Sequence, residues 1–180
     1  GDEENIEKNT IDPVIEALLS EAHTGVGGKV VPPKSSSEPV VGLYNSRNPA
    51  QVVVQGNFRL TDEAGHDVRH IIFNIGDAAV PVLEGQTIGI IPPGLDINSK
   101  AHNARLYSVS NPRDGERPGY NNISLTVKRE EKGVCSNYLC DLNKGDTVDI
   151  IGPFGSTFLM PDDPSAHLLM ICTGTGSAPM

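Results

Sequence analysis

Cysteine, basic charge and long apolar runs are all scarce in this 180-residue chain. Its cysteines are Cys135, Cys140 and Cys172, with no C-x-x-C pair, and its five histidines are scattered. No zinc or iron–sulfur framework can be assembled from that set, so no metal site is expected. Reduced thiols in a cytoplasmic protein account for the cysteines. No apolar run approaches the ~18 residues that span a bilayer. The N-terminus lacks the basic stretch and apolar core of a signal peptide, so neither secretion nor membrane spanning is expected. Lys and Arg number 14 against 23 Asp and Glu. That balance argues against nucleic acid or anionic lipid as a partner.

The formal net charge of −9 is unevenly spread. Asp2, Glu3, Glu4, Glu7, Asp12, Glu16 and Glu21 face only Lys8 at the start of the chain, and the remainder is close to balanced. What the chain has in quantity is turn formers: 19 glycines and 14 prolines. Together with an apolar share of 37%, they argue for a packed core built from short strands and many turns.

Residues 1–40 read as an acidic helix and a flexible linker. Asp12 can cap, Pro13 suits the first helical position, and Val14, Ile15, Leu18 and Leu19 form an apolar stripe. The Gly-Gly, Pro-Pro and Ser-Ser-Ser that follow read as a tether. Residues 41–163 carry six candidate strands: 51–60, 67–75, 86–91, 105–110, 122–129 and 147–152. Turn signals such as Glu84-Gly85 and Pro112–Gly115 separate them. The expected class is mainly β, a six-stranded antiparallel Greek-key barrel. One short helix fits inside it, with Ser136 as cap, Asn137 to about Leu142 as body and Gly145 as stop. Residues 164–180 differ. The run Ala166–Cys172 suits a strand buried on both faces of a parallel sheet, and a glycine turn follows. This is the expected start of a second, α/β domain, cut short at Met180.

Four local patterns could carry chemistry. In Arg105-Leu106-Tyr107-Ser108, alternation places an arginine fork and an aromatic plate on one face. That pair can hold a pyrophosphate and stack a flat ring, although a surface Arg beside a half-buried Tyr looks the same. Gly133-Val134-Cys135-Ser136 opens a helix, whose free N–H groups favour phosphate. A capped helix with nothing bound fits equally. Ser124–Arg129 ends in two cations, which suits a phosphorylated ligand or merely a solvated strand end. Thr173–Ser177 is an incomplete version of the dinucleotide phosphate turn.

In sequence order these patterns resemble the plant-type ferredoxin–NADP(+) reductase family. The similarity is carried by EGQTIGIIPPG (Glu84–Gly94), RLYSVS (Arg105–Ser110), SLTVKR (Ser124–Arg129), GVCSNYLCDL (Gly133–Leu142), GPFGSTFLMP (Gly152–Pro161) and CTGTGSAPM (Cys172–Met180). The resemblance implies that the barrel binds FAD and that residues 164–180 begin an NADP(H)-binding domain. It implies a reductase that takes hydride from NADPH and passes single electrons to an iron–sulfur acceptor, a ferredoxin module or an oxygenase component. Iron–sulfur clusters would belong to a longer parent protein and not to this chain.

The roles it assigns run along the sequence. Arg105 would grip the FAD pyrophosphate, Tyr107 would stack on the isoalloxazine, and Leu106 would share that strand's contact. Ser108 would sit beside flavin N5 as the nearest to a catalytic group. Thr126, Val127 and Lys128 would line the cofactor. Gly133, Val134, Cys135 and Ser136 would cradle the pyrophosphate, and Thr175 would lie near flavin and nicotinamide. Family members carry a tyrosine that stacks on adenine after the VKR strand; here Glu130-Glu131-Lys132 runs directly into Gly133. One branch, the reductase component of the benzoyl-CoA epoxidizing oxygenase, has ferredoxin modules ahead of the reductase and is similar in GVCSNYLCDL and CTGTGSAPM. The chain alone is expected to bind FAD loosely or to lose it, and to oxidise little NADPH. Two alternatives stay open: the FAD domain of a diflavin reductase, and a barrel that acts as an interaction module without flavin.

Overall fold

The computed structural model describes residues 38–116 and 120–180. The expected helix over Val14–Leu19 and most of the tether lie outside them. Among the described residues six strands and one helix follow in order: β1 (Ala50–Arg59), β2 (Val68–Asn74), β3 (Thr87–Ile90), β4 (Arg105–Ser108), β5 (Asn122–Lys128), α1 (Val134–Asp141) and β6 (Thr147–Phe154). A 3-10 turn, Gly174–Ser177, comes near the end. Each of the six strands expected within residues 41–163 is present, within a residue or two at its ends.

The strands form one antiparallel sheet in the order β4-β3-β6-β1-β2-β5. Its two edges meet just past β4, where Val109 bridges Leu125 and the Ser110 N–H donates to the Ser124 carbonyl at 2.9 Å. The connections β2–β3 and β5–β6 skip neighbours, which is the Greek-key pattern. A buried polar lock sits at the closure. Asn111 Oδ1 accepts the Ser124 N–H at 2.6 Å, and Asn111 Nδ2 donates to the Asn122 carbonyl at 3.3 Å.

Alternation decides which side chains go inside. On β2, Ile71 and Phe73 are fully buried, and Ile75 just beyond the strand is buried with them. They meet Val52, Val54, Ile88, Ile90, Leu125, Val127, Val148 and Ile150 from the other strands. Full burial of such a side chain stabilises by about 1.5–3 kcal/mol each. Helix α1 stoppers one end of this core with Cys135, Leu139 and Cys140. Its C-terminal carbonyls are satisfied from β1: Asn57 Nδ2 donates to the carbonyls of Leu139, Cys140 and Leu142 at 3.2, 3.3 and 2.8 Å.

Two expectations need correction. The helix begins earlier than proposed, with Gly133 and not Ser136 at the N-cap. Ser136 is spent inside the first turn. Its hydroxyl donates to the Gly133 carbonyl at 3.2 Å and accepts the Glu130 N–H at 3.1 Å. The run Ala166–Cys172 forms no strand. Leu168, Leu169, Met170 and Ile171 are instead exposed. A strand of that composition gains its stability from sheet neighbours on both sides, and none of the described strands pairs with it. Among the described residues, no helix is long and apolar enough to cross a membrane.

Candidate functional site

A cleft of ≈ 440 Å³ opens where β4, the end of β5 and the start of α1 converge. Its floor is set by the edge strand β4, which pairs only with β3. There the two-residue period sends Arg105 and Tyr107 into the cleft and leaves Leu106, 60% exposed, on the outer face. Lys128 reaches in from the last position of β5. The wall opposite is Gly133, Val134, Cys135 and Ser136.

The start of α1 is prepared for an anion. The first intrahelical bond runs from the Asn137 N–H to the Gly133 carbonyl at 3.0 Å. The N–H groups of Val134, Cys135 and Ser136 precede it and have no acceptor within the helix. No side chain caps them. Gly133 is required for closeness and not for backbone freedom, since its φ is −84°. A Cβ at that position would run into the Ser136 hydroxyl.

The ring of Tyr107 packs against the core, with its hydroxyl near the Cys135 thiol. Burial pushes the Tyr107 hydroxyl well above its ordinary range, and the nearby Cys135 thiol adds to this. Burial likewise pushes the Cys135 thiol up, so both remain protonated at neutral pH. Cys135 is therefore an inert thiol. Its Sγ also lies 3.9 Å from the Ile90 carbonyl, which it can weakly donate to.

The charges on the rim are mixed. Lys128 Nζ pairs with Glu130 Oε1 at 3.1 Å, both groups being partly exposed, a pairing worth little in solvent. Asp96 and Lys132 add one charge of each sign. The neighbouring Arg129 is not part of the cleft. It turns the other way and binds Asp67, Asn137 and Asp141. The two cations that look like a pair in sequence thus serve opposite faces of β5.

Of the residues singled out from sequence, Arg105, Tyr107, Lys128, Gly133, Val134, Cys135 and Ser136 come together in this cleft. Ser108 and Thr126 are half-buried outside its lining, and Val127 is committed to the core. Thr175 lies in the 3-10 turn, which rests against β5. Sequence reading passed over Pro92, Asp96, His102 and Asn103, which also line the cleft. Continuing the alternation of β4 backward from Arg105 would have reached Asn103; nothing local marks the others.

Comparison with known proteins identifies the family. A family model described as the oxidoreductase FAD-binding domain matches residues 58–158. The chain belongs to that family. Within it the chain is of the plant-type ferredoxin–NADP(+) reductase kind. It is 44% identical over 173 residues to the ferredoxin–NADP reductase of the Cyanophora paradoxa cyanelle, covering 91% of this chain and 47% of the relative. It is 43% identical over 150 residues to the chloroplastic leaf isozyme 1 of Arabidopsis thaliana, covering 78% and 41%. Among solved structures, a mutant of the Plasmodium falciparum ferredoxin–NADP+ reductase with 2'P-AMP superposes with a TM-score of 0.64 at 28% identity, covering 77% of this chain and 52% of that one. The chain spans about half the length of the curated relatives it matches.

Proposed function

We propose that this chain is the FAD-binding part of a reductase that takes hydride from NADPH and passes single electrons to an iron–sulfur acceptor of the ferredoxin type. The observation that carries the reading is the convergence of Arg105, Tyr107 and the uncapped start of α1 on one cleft. FAD has a flat ring system joined to adenosine by a pyrophosphate, and the cleft offers a matching aromatic plate and anion site. The donor set fits: a guanidinium, an ammonium and helical N–H groups, with a glycine where a Cβ would intrude.

Each residue then has a task. Arg105 and Lys128 would neutralise the pyrophosphate, with Lys128 exchanging Glu130 for it. The N–H groups of Val134–Ser136 would donate to phosphate oxygens. Tyr107, packed against the core, would stack against the isoalloxazine. Val127 can offer only backbone, because its side chain fills the core. The placing of Ser108 beside the reacting N5, and of Thr126 and Thr175 near it, rests on the family likeness. The chemistry FAD supplies when bound is hydride uptake and one-electron release; the protein binds, orients and tunes it.

The names of the relatives favour ferredoxin as acceptor over an oxygenase component, a diflavin arrangement or a flavin-free module. We further propose residues 41–163 as the cofactor barrel and 164–180 as the beginning of the NADP(H)-binding domain. The unpaired apolar run at Leu168–Ile171 supports the second division. Buried, unpaired Cys135 and Cys140 suit a reducing compartment such as the cytoplasm. Titration of the chain with FAD, followed by flavin fluorescence, tests the reading. Saturable binding that is lost in Arg105→Ala and Tyr107→Ala is expected. Absence of binding by the unaltered chain, or unchanged affinity in both variants, would overturn it.

A further inference from the structure

We propose that Arg129 is a positioning residue for the cofactor, one that fixes the rotation of α1 and thereby aims its N-terminal N–H groups into the cleft. The inference rests on the cofactor reading above and extends it to a residue that does not line the site.

The connection from β5 to α1 is short, and its own hydrogen bonds are local. Asn137 Nδ2 donates to the carbonyls of Glu130 and Gly133, both at 2.9 Å, and Ser136 closes the same turn. These bonds travel with the helix and cannot fix it to the barrel. The inward face of α1 is apolar, with Cys135, Leu139 and Cys140 buried. Apolar packing is non-directional and resists rotation about the helix axis only weakly.

Asn57 of β1 ties the C-terminal carbonyls of α1 to the barrel, and the Arg129 guanidinium adds a second directional tie, on a side face of the helix. Nη1 donates to Asn137 Oδ1 at 2.9 Å and Nη2 to Asp141 Oδ1 at 2.7 Å. Those two residues are one turn apart on a single face of the helix. Nε donates to Asp67 Oδ2 at 2.9 Å, and the Arg129 N–H donates to the Asp67 carbonyl at 2.8 Å. Asp67 is itself held to the sheet by Arg69 at 2.6 Å. One planar fork therefore ties two levels of α1 to the base of β2. Lysine, with a single point charge, cannot reproduce three divergent bonds. Strand alternation completes the arrangement, because the Lys128 side chain enters the cleft while its neighbour clamps the helix behind it.

Arg129→Lys and the milder Asp141→Asn, at an exposed position, test this in the 180-residue chain. FAD affinity, thermal unfolding and the phosphorus NMR signals of bound FAD are measured together. Loss of one well-aimed phosphate hydrogen bond predicts about ten-fold weaker FAD binding for Arg129→Lys. The pyrophosphate signals are expected to shift at saturating FAD while the visible flavin band stays unchanged, with Asp141→Asn moving the same way by less. Unchanged affinity with unshifted phosphorus signals would overturn the inference. So would lowered thermal stability with native phosphorus signals, which is the result of a merely structural clamp. If Arg129→Lys fails to fold, Asp141→Asn decides by the same readouts. Failure of the unaltered chain to bind FAD is a different result: it would overturn the cofactor reading, and this inference with it.

Discussion

Gly133→Ala isolates the tightest point of the site. The backbone there, φ −84° and ψ 107°, suits alanine, so no conformational strain arises. By itself the change should stabilise by about 0.4–1 kcal/mol through the unfolded chain. Against this, the new methyl would displace the Ser136 hydroxyl. That hydroxyl makes bonds of 3.2 and 3.1 Å to the Gly133 carbonyl and the Glu130 N–H. Each is worth about 1 kcal/mol net, and a part-buried N–H left unpaired costs about 1–3 kcal/mol. The loss exceeds the gain, so a net destabilisation of about 1–2 kcal/mol is expected. For a domain of this size that is a fall in Tm of roughly 3–8 °C. Urea unfolding followed by circular dichroism reads it directly. The mechanism makes a sharper demand on the double variant. Once Ser136→Ala has removed the hydroxyl, adding Gly133→Ala should cost clearly less than it does alone, since only the 3.0 Å approach to Glu130 Cβ is left. Additive costs, or a single Gly133→Ala variant as stable as the parent, would refute the steric account.

Three other outcomes follow from the same geometry. Asn57→Ala removes the donor shared by three α1 carbonyls and should destabilise by about 1–3 kcal/mol in urea unfolding. Gly85→Ala should be more damaging, since φ is +85° and a Cβ would collide with the Phe158 carbonyl; a cost below about 1 kcal/mol would contradict the placing of that loop. Hydrogen bonding from Arg69 and Arg129 holds the Asp67 carboxyl down at about 2, from an ordinary 3.8. A carboxyl lowered in the folded state stabilises fully above its unfolded value, and loses that contribution as pH falls toward the folded one. The Tm difference between the parent and Asp67→Asn should therefore be widest above about pH 4 and close toward pH 2; a gap independent of pH would be inconsistent with the ion pairs.

Much of the barrel could be read from residue order because half-buried strands carry their own period. Alternation puts Arg105 and Tyr107 on one face, and they are found so; the same period puts Ile71, Phe73 and Ile75 together on the buried face. The helix start was misjudged because serine is a good N-cap in isolation, whereas here its hydroxyl is drawn backward by the Glu130 N–H. The segment 166–172 has the composition of a buried strand, but composition cannot supply neighbours. Arg129 looked like half of a phosphate-binding pair. Its partner Asp67 lies far away in sequence, and only folding brings the two together. His102 and Pro92 joined the cleft for the same reason: loop paths carry no periodicity to extrapolate.

Amide NMR of the isotopically labelled chain during FAD titration asks most directly whether the cleft is the cofactor site. The account expects the largest shifts at the N–H groups of Val134, Cys135 and Ser136, with further shifts along Arg105–Ser108 and at Lys128. Saturable binding whose shifts instead cluster around Pro112, Phe158 and Leu169, at the separate apolar cleft, or no shifts at all, would contradict it.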